Sequence, residues 1–360
     1  MFEVARYVPV LHARLAEQRA YRELPSGTKD LIFPLFVARP WPNANSLSTM
    51  WDRIQDAVAG RRFGLDLDIT RRGRENDKPA QREFDALFEI ENAFENYYEA
   101  IAAIDGAVPV LRSHGNQFLD VDAQLARIQA IGRGGFVRIQ RGRQVELQPL
   151  YDRLGSNETA EIAVVVDVGW GRDILQAQDW ALQIATAVFE AHPEREIVIC
   201  GGSFPSTFQE VQDVHDFQIF ERTLFTEIRQ RLNANLFYGD WGSTRPPSLD
   251  NTIMKSVPRI DLPQTGNWRV FRSEKYDPDD ANSERETYPQ VAVRTIEDLD
   301  WENVPQLWGS YIVECTAHGL SNSIRNAAVA AAARVNIHLH VQAHFDRPEL
   351  MGVTDEPYED

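Results

Sequence analysis

Cysteine is nearly missing from this chain: Cys200 and Cys315 are the only two in 360 residues. Two thiols cannot build a disulfide framework, which points to a reducing, cytoplasmic setting with both as small buried hydrophobes. Lysine is almost as scarce. Lys29, Lys78, Lys255 and Lys275 leave 33 of the 37 basic residues as arginine. No run of 18 apolar residues occurs, so no helical membrane span is expected. The opening "MFEVARYVPVLHARLAEQ" carries charges inside its first apolar stretch and lacks a small-residue cleavage site, unlike a signal peptide. Positive charge is short as well. A net charge of −17 argues against non-specific nucleic-acid binding by the whole surface.

Several catalytic signatures are also missing. No G-x-G-x-x-G follows the first strand-like run, and "CGGSFPST" (200–207) lacks the glycine–lysine pair of a P-loop. No H-E-x-x-H occurs and the first run has no H-x-H, which disfavours the usual hydrolytic zinc sites. No lysine ends a strand-like run, so a Schiff-base mechanism is not expected. The sequence names no cofactor.

What the chain does contain is alternation. Eight short apolar, β-branched runs recur: "YVPVLHA" (7–13), "LIFPLFVA" (31–38), "FGLDLDI" (63–69), "GAVPVLRS" (106–113), "GGFVRIQ" (134–140), "EIAVVVDVG" (161–169), "EIVICGG" (196–202) and "ANLFYGD" (234–240). Between most of them, apolar residues recur at three and four, the helical period. Examples are "SLSTMWDRIQDAV" (46–58), "VDAQLARIQAIG" (121–132) and "AQDWALQIATAVFEAH" (177–192). Eight strand–helix repeats predict an α/β fold, a (β/α)8 TIM-like barrel over residues 1–245, with a doubly wound sheet as the alternative. Pro9, Pro34 and Pro109 are expected near strand starts, where a missing N–H is tolerable. Residues 246–360 break the pattern and are expected to pack on the barrel as a dependent elaboration. Within them a helix is expected around 322–333 and a strand at "VNIHLHVQ" (335–342). Its His338 and His340 would then share a face, where two imidazoles can hold a metal, or serve as hydrogen-bonded core.

With the strand ends in view, "YVPVL", "FPLF", "GLDLD", "VPVLR", "FVRIQ", "VVVDVG", "GGSFP" and "FYGDWG" resemble, in the same order, a family called beta protein. The resemblance runs from residue 7 to about 345, and "GGSFP" followed by "GDWG" is its most specific part. Relatives are encoded by phages, prophages, phage satellites and their bacterial hosts, near toxin-like and phage-defence genes. The resemblance therefore implies a role in prophage-type anti-phage defence or toxin immunity, with a possible protein partner from the same module. The second run departs from the family pattern: relatives carry an acid where this chain has Val37 and Ala38.

On a barrel, Asp68, Arg112, Arg138, Asp167 and Asp240 would meet at the C-terminal rim. There they would form either a catalytic constellation or a network of buried ion pairs that fixes register. The loops after the last two strands would supply anion donors through Gly202, Ser203, Gly242 and Ser243, with Arg245 as a cation. A phosphate-containing small ligand, and an enzyme acting on a phosphorylated small molecule or nucleotide, follow as the competing reading. Two arginine clusters, at 61–74 and 133–143, offer a third reading as a nucleic-acid module, which the net charge disfavours.

Overall fold

The computed structural model describes residues 1–41, 44–72, 78–115, 117–143, 147–156, 161–247, 257–273 and 283–352. The end of the first arginine cluster (73–74) and half of the polar stretch at 273–290, namely 274–282, lie outside the described residues.

Eight short strands run parallel in two sheets. One holds β1 (Val10–His12), β2 (Leu35–Ala38), β3 (Phe63–Leu67) and β4 (Ala107–Pro109), in that order. The other holds β5 (Gly135–Gln140), β6 (Ile162–Trp170), β7 (Glu196–Gly202) and β9 (Asn235–Tyr238). Single parallel bridges join the sheets at both edges, Val110 with Phe136 and Tyr7 with Tyr238. Gly239 makes the second junction possible: a Cβ there would stand 2.7 Å from the carbonyl oxygen of Val8.

The fold is thus mixed α/β, with parallel sheets and twelve α-helices among the described residues. The helices follow the predicted periodicity: Ser48–Val58, Val121–Ile131 and Gln178–Ala191 occupy the expected stretches. Gly132 ends the second of these at φ +70°, donating its N–H back to Ile128.

Except for β9, which is buried only at Tyr238, the strands of these two sheets bury most of both faces, and the two faces differ. Val8, Val10, Leu35, Val37, Val110, Phe136, Ala163, Val165, Val198 and Cys200 pack together on one. Their neighbours in sequence, among them Leu11, Phe36, Val137, Ile139, Val164, Val166, Ile197 and Ile199, pack with helical side chains such as Ile54, Leu125 and Ile184. This is period-two alternation with apolar residues at both phases, which is why the runs look continuously hydrophobic. Each such side chain contributes about 1.5–3 kcal/mol relative to exposure.

Three expectations are corrected. The strand Val214–Gln218, β8, was not anticipated. It pairs antiparallel with β11 (Asn267–Arg272), which pairs with β10 (Arg259–Pro263) in a third sheet. "VNIHLHVQ" is no strand but the second half of one helix, Ala327–Ala343. Its alanine-rich first half propagates the helix, while its second half is buried on every side and alternates apolar residues with Asn336, His338, His340 and Gln342, a period of two that imitates a strand. Pro109 ends β4 rather than beginning it.

The last helix is held from two sides. Val335, Leu339 and Ala343 join the core shared with the strands and their helices, while Ile337 and Val341 join a separate core around β10, β11 and the helix Trp308–Ala317. The side-chain amide of Asn336 donates to the carbonyl of Ala20 at 2.8 Å.

Candidate functional site

Where β3, β5 and β6 end, the apolar phase that carries Phe136, Ala163 and Val165 continues into Arg138 and Asp167, and Asp66 stands level on β3. Arg112 enters three residues beyond β4. The four form a chain. Arg112 Nη1 donates to Asp66 Oδ1 at 2.7 Å, Arg138 Nη1 to Asp66 Oδ2 at 2.8 Å, and Arg138 Nη2 to Asp167 Oδ2 at 2.7 Å. Arg138 Nε adds a second bond to the same Asp167 oxygen at 3.1 Å. The backbone N–H of Leu67 and of Gly169 complete the two carboxylates.

All four side chains are at least nine-tenths buried. Burial alone would raise Asp66, but Arg112 and Arg138 outweigh it and hold the carboxyl below the usual range. Burial would likewise lower Arg138, and Asp167 and Asp66 instead raise it. Aromatic faces flank the cations: Trp241 lies 4.9 Å from the Arg138 guanidinium, and Tyr97 and Phe88 lie 5.0 and 5.4 Å from that of Arg112.

Above this chain opens a cavity of about 480 Å³, lined by Asp66, Asp68, Arg112, Arg138, Gln140 and Arg143 among others. Asp68 stands one residue past β3 and turns its Oδ1 onto the N–H and hydroxyl of Thr70, at 3.0 and 2.6 Å. Its Oδ2 and the Nε of Arg112 are buried without a hydrogen-bond partner among the described residues. Arg143 makes no ion pair with any described residue.

Asp240 belongs to a second cluster and does not line this cavity. It accepts from the hydroxyl of Tyr7, from Tyr238 Oη at 2.8 Å, from the Gly242 N–H at 2.7 Å and from His338 Nε2 at 2.8 Å. Burial pushes its pKa up; the charge and hydrogen bond of His338, with the bonds from Tyr7 and Gly242, hold it below the usual value. The two clusters meet through Trp241, whose Nε1 lies 3.4 Å from Asp167.

The loops expected to hold an anion already hold carboxylates of the chain itself. Glu221 takes the N–H and hydroxyl of Ser203, and Asp240 takes the N–H of Gly242. Ser243 Oγ accepts from Trp268 Nε1 at 2.7 Å. Gly202 closes β7 against Trp241. The Arg245 guanidinium stands over Trp170 at 5.9 Å, and its carbonyl accepts from His12 Nε2 at 2.7 Å.

The helix also separates the paired histidines: His338 turns to Asp240, while His340 accepts from Thr28 and donates to the Met351 carbonyl at 2.9 Å. Two positions apart on a helix, the rings do not share a face. Among the described residues, no group of three or more His, Cys, Asp or Glu is placed to hold a metal ion. No helix of these residues is long and apolar enough to cross a membrane.

The sequence offers Asp66 or Asp68 of "FGLDLD" for the rim and favours Asp68; both line the cavity, but it is Asp66 that joins Arg112 and Arg138. The shared parity of the two aspartates with Gly64 was the available signal: Asp66 is the last in-strand position of that phase, and Asp68 already belongs to the turn. Nothing local marks Glu221 as the partner of Ser203.

The chain is thus a parallel-stranded α/β protein whose strand ends carry linked charges. The family model described as Beta protein matches residues 7–344, and the chain belongs to that family. Among curated proteins, it is similar to Protein beta of Enterobacteria phage P4, 25% identical over 350 residues, which cover 95% of this chain and 94% of the phage protein. No solved structure matches.

Proposed function

We propose that residues 1–245 form a closed (β/α)8 barrel covered by 246–360, and that its mouth binds a small hydroxylated anion within a prophage-type defence or toxin-immunity module. The two bridges that join the sheets at both edges support closure. Family membership and the phage P4 relative support the setting. The site rests on one observation: the cavity at the strand ends keeps free hydrogen-bonding capacity of both signs. Among the described residues, Arg143 has no ion-pair partner, Arg112 Nε, buried beneath the cavity, is an unengaged donor, and the equally buried Asp68 Oδ2 is the unengaged acceptor. A phosphate or carboxylate fits the first pair and a hydroxyl fits the third. Arg138, with Nε, Nη1 and Nη2 all engaged, acts as the clamp that keeps the carboxylates in place.

Thermal melting against inorganic phosphate, sugar phosphates, nucleoside monophosphates and hydroxycarboxylates tests this. A ligand at a hundredfold its Kd adds about 2.7 kcal/mol. R143M is expected to remove the shift without lowering the ligand-free Tm. No shift with any of the four classes overturns the reading.

A second reading, an enzyme acting on the same ligand class, is favoured by the partnerless oxygen of Asp68, placed as a general base would be. In that case D68N keeps the ligand-induced shift and loses turnover of the ligand.

A further inference from the structure

A second cavity, of about 780 Å³, lies outside this site, between the segments that follow β1 and β2 and the start of the last helix. Arg14, Leu15, Arg39, Trp41, Ala44 and Ala328 are among its walls, and among the described residues no carboxylate is. Much of the lining is apolar. Leu15 is 61% exposed there, a large aliphatic side chain left open to solvent. The indole N–H of Trp41 is engaged by the Ala13 carbonyl at 2.9 Å, so the ring's remaining surface is apolar.

The charge is of one sign. Arg39 is half-buried and forms no hydrogen bond or ion pair with any described residue. Burial, and then Arg14 and Arg71, push its guanidinium down to about 10. Arg14 stands 3.9 Å from Glu17, whose carboxyl burial pushes up. Leu15 and Ala328 occupy the first turns of their helices, Leu15–Arg22 and Ala327–Ala343, whose partial positive charge adds to the field. Two guanidinium groups beside an apolar wall, with no lining carboxylate, are the complement of an anion attached to a hydrocarbon.

We propose that this cavity binds a small organic anion with an apolar body, a carboxylate or phosphate monoester carrying an acyl or aryl chain. Its head lies between Arg14 and Arg39 and its chain along Leu15 and Trp41. The ligand differs from that of the strand-end cavity, whose walls call for hydroxyl groups, and either site stands without the other.

Calorimetry on the full chain with octanoate, octanol and octylammonium tests the proposal, with 11-bromoundecanoate as a contact quencher of tryptophan fluorescence. Octanoate is expected to bind at least about tenfold more tightly than octanol, as one charge-assisted contact implies, and octylammonium not at all. R39M is expected to bring octanoate down to the octanol level, and W41F to remove the bromoundecanoate quenching. Should R39M fail to fold, A44W decides: it fills the cavity, leaves both arginines, and must abolish octanoate binding. Equal affinity for octanol and octanoate, unchanged octanoate binding in folded R39M or A44W, or no octanoate binding at all overturns the proposal.

Discussion

Glu221 lays both carboxylate oxygens on Ser203, one receiving the backbone N–H and the other the hydroxyl at 2.5 Å. The pair is buried and burial pushes the Glu221 carboxyl up, although the Arg172 guanidinium on the Ser203 carbonyl is near enough to feel its charge. The turn after β7 thus encloses an anion mimic on the chain's own helix Glu221–Arg231. E221A strands two donors and is expected to lower unfolding free energy by about 2–4 kcal/mol, against less than about 1 kcal/mol for E221Q. Urea titration checks both. Formate, a detached carboxylate, is expected to raise the Tm of E221A and leave that of the wild type unchanged.

The Asp66–Arg138–Asp167 bridge supports a second prediction. R138M leaves two buried carboxylates facing each other and is expected to cost about 3–5 kcal/mol. D167N in the R138M background recovers part of that loss. A double-mutant cycle by chemical denaturation reads the coupling, expected at about 1–3 kcal/mol. Additive losses would show the contact to be energetically idle.

Acid sensitivity follows from buried imidazoles. Burial pushes His340 down to about 4, and it pushes His12 and His344 down as well. The unfolded chain takes up these protons near pH 6.5, before the folded one does. The stability they contribute is therefore intact above about pH 6.5 and falls as pH drops toward 4. For His340 alone the loss is about 3 kcal/mol. Denaturant midpoints between pH 7 and pH 4 measure the slope, and H340Q, which can keep both hydrogen bonds, is expected to flatten it. Below pH 4, Asp66 and Asp240 add their own losses, because their folded values lie under the usual carboxylate range.

Gly239 offers a steric test of the junction between β9 and the first segment. Besides the Val8 carbonyl oxygen at 2.7 Å, an added Cβ would meet Val198 Cγ1 at 2.8 Å. G239A is expected to cost about 2 kcal/mol or more. At Gly266 nothing lies within 4 Å, and G266A is expected to change stability by less than about 0.5 kcal/mol. Circular dichroism melts of the two variants compare them directly.

Most of this architecture was legible in the chain because parallel strands announce themselves as unbroken apolar runs and their helices as three-four periodicity. The strand β8 was not: "VHDFQ" is mostly exposed, and its partner β11 lies some fifty residues on. The second half of the last helix reads as a strand because 335–342 alternates apolar and polar residues, and burial on every side covers both sets. Arg112, Arg138 and Asp167 were legible as charges closing apolar runs. Their mutual distances, and the retreat of Asp240 to Tyr7 and His338, depend on contacts between residues far apart in sequence, where no local pattern exists.

The Tyr7 hydroxyl and its acceptor Asp240 are 233 positions apart, and the helix that packs on Ala20 and Thr28 is finished only at Ala343. At about 5–20 residues per second, a ribosome needs about 10–50 s to deliver the second half of the first contact after the first half. During that interval the edge of β1 has open N–H and C=O groups and an uncovered apolar face, the features on which chains aggregate. Holding chaperones are expected to raise the soluble yield of the full chain. A stop codon anywhere before the final helix is expected to yield insoluble material rather than a shortened, partly working product.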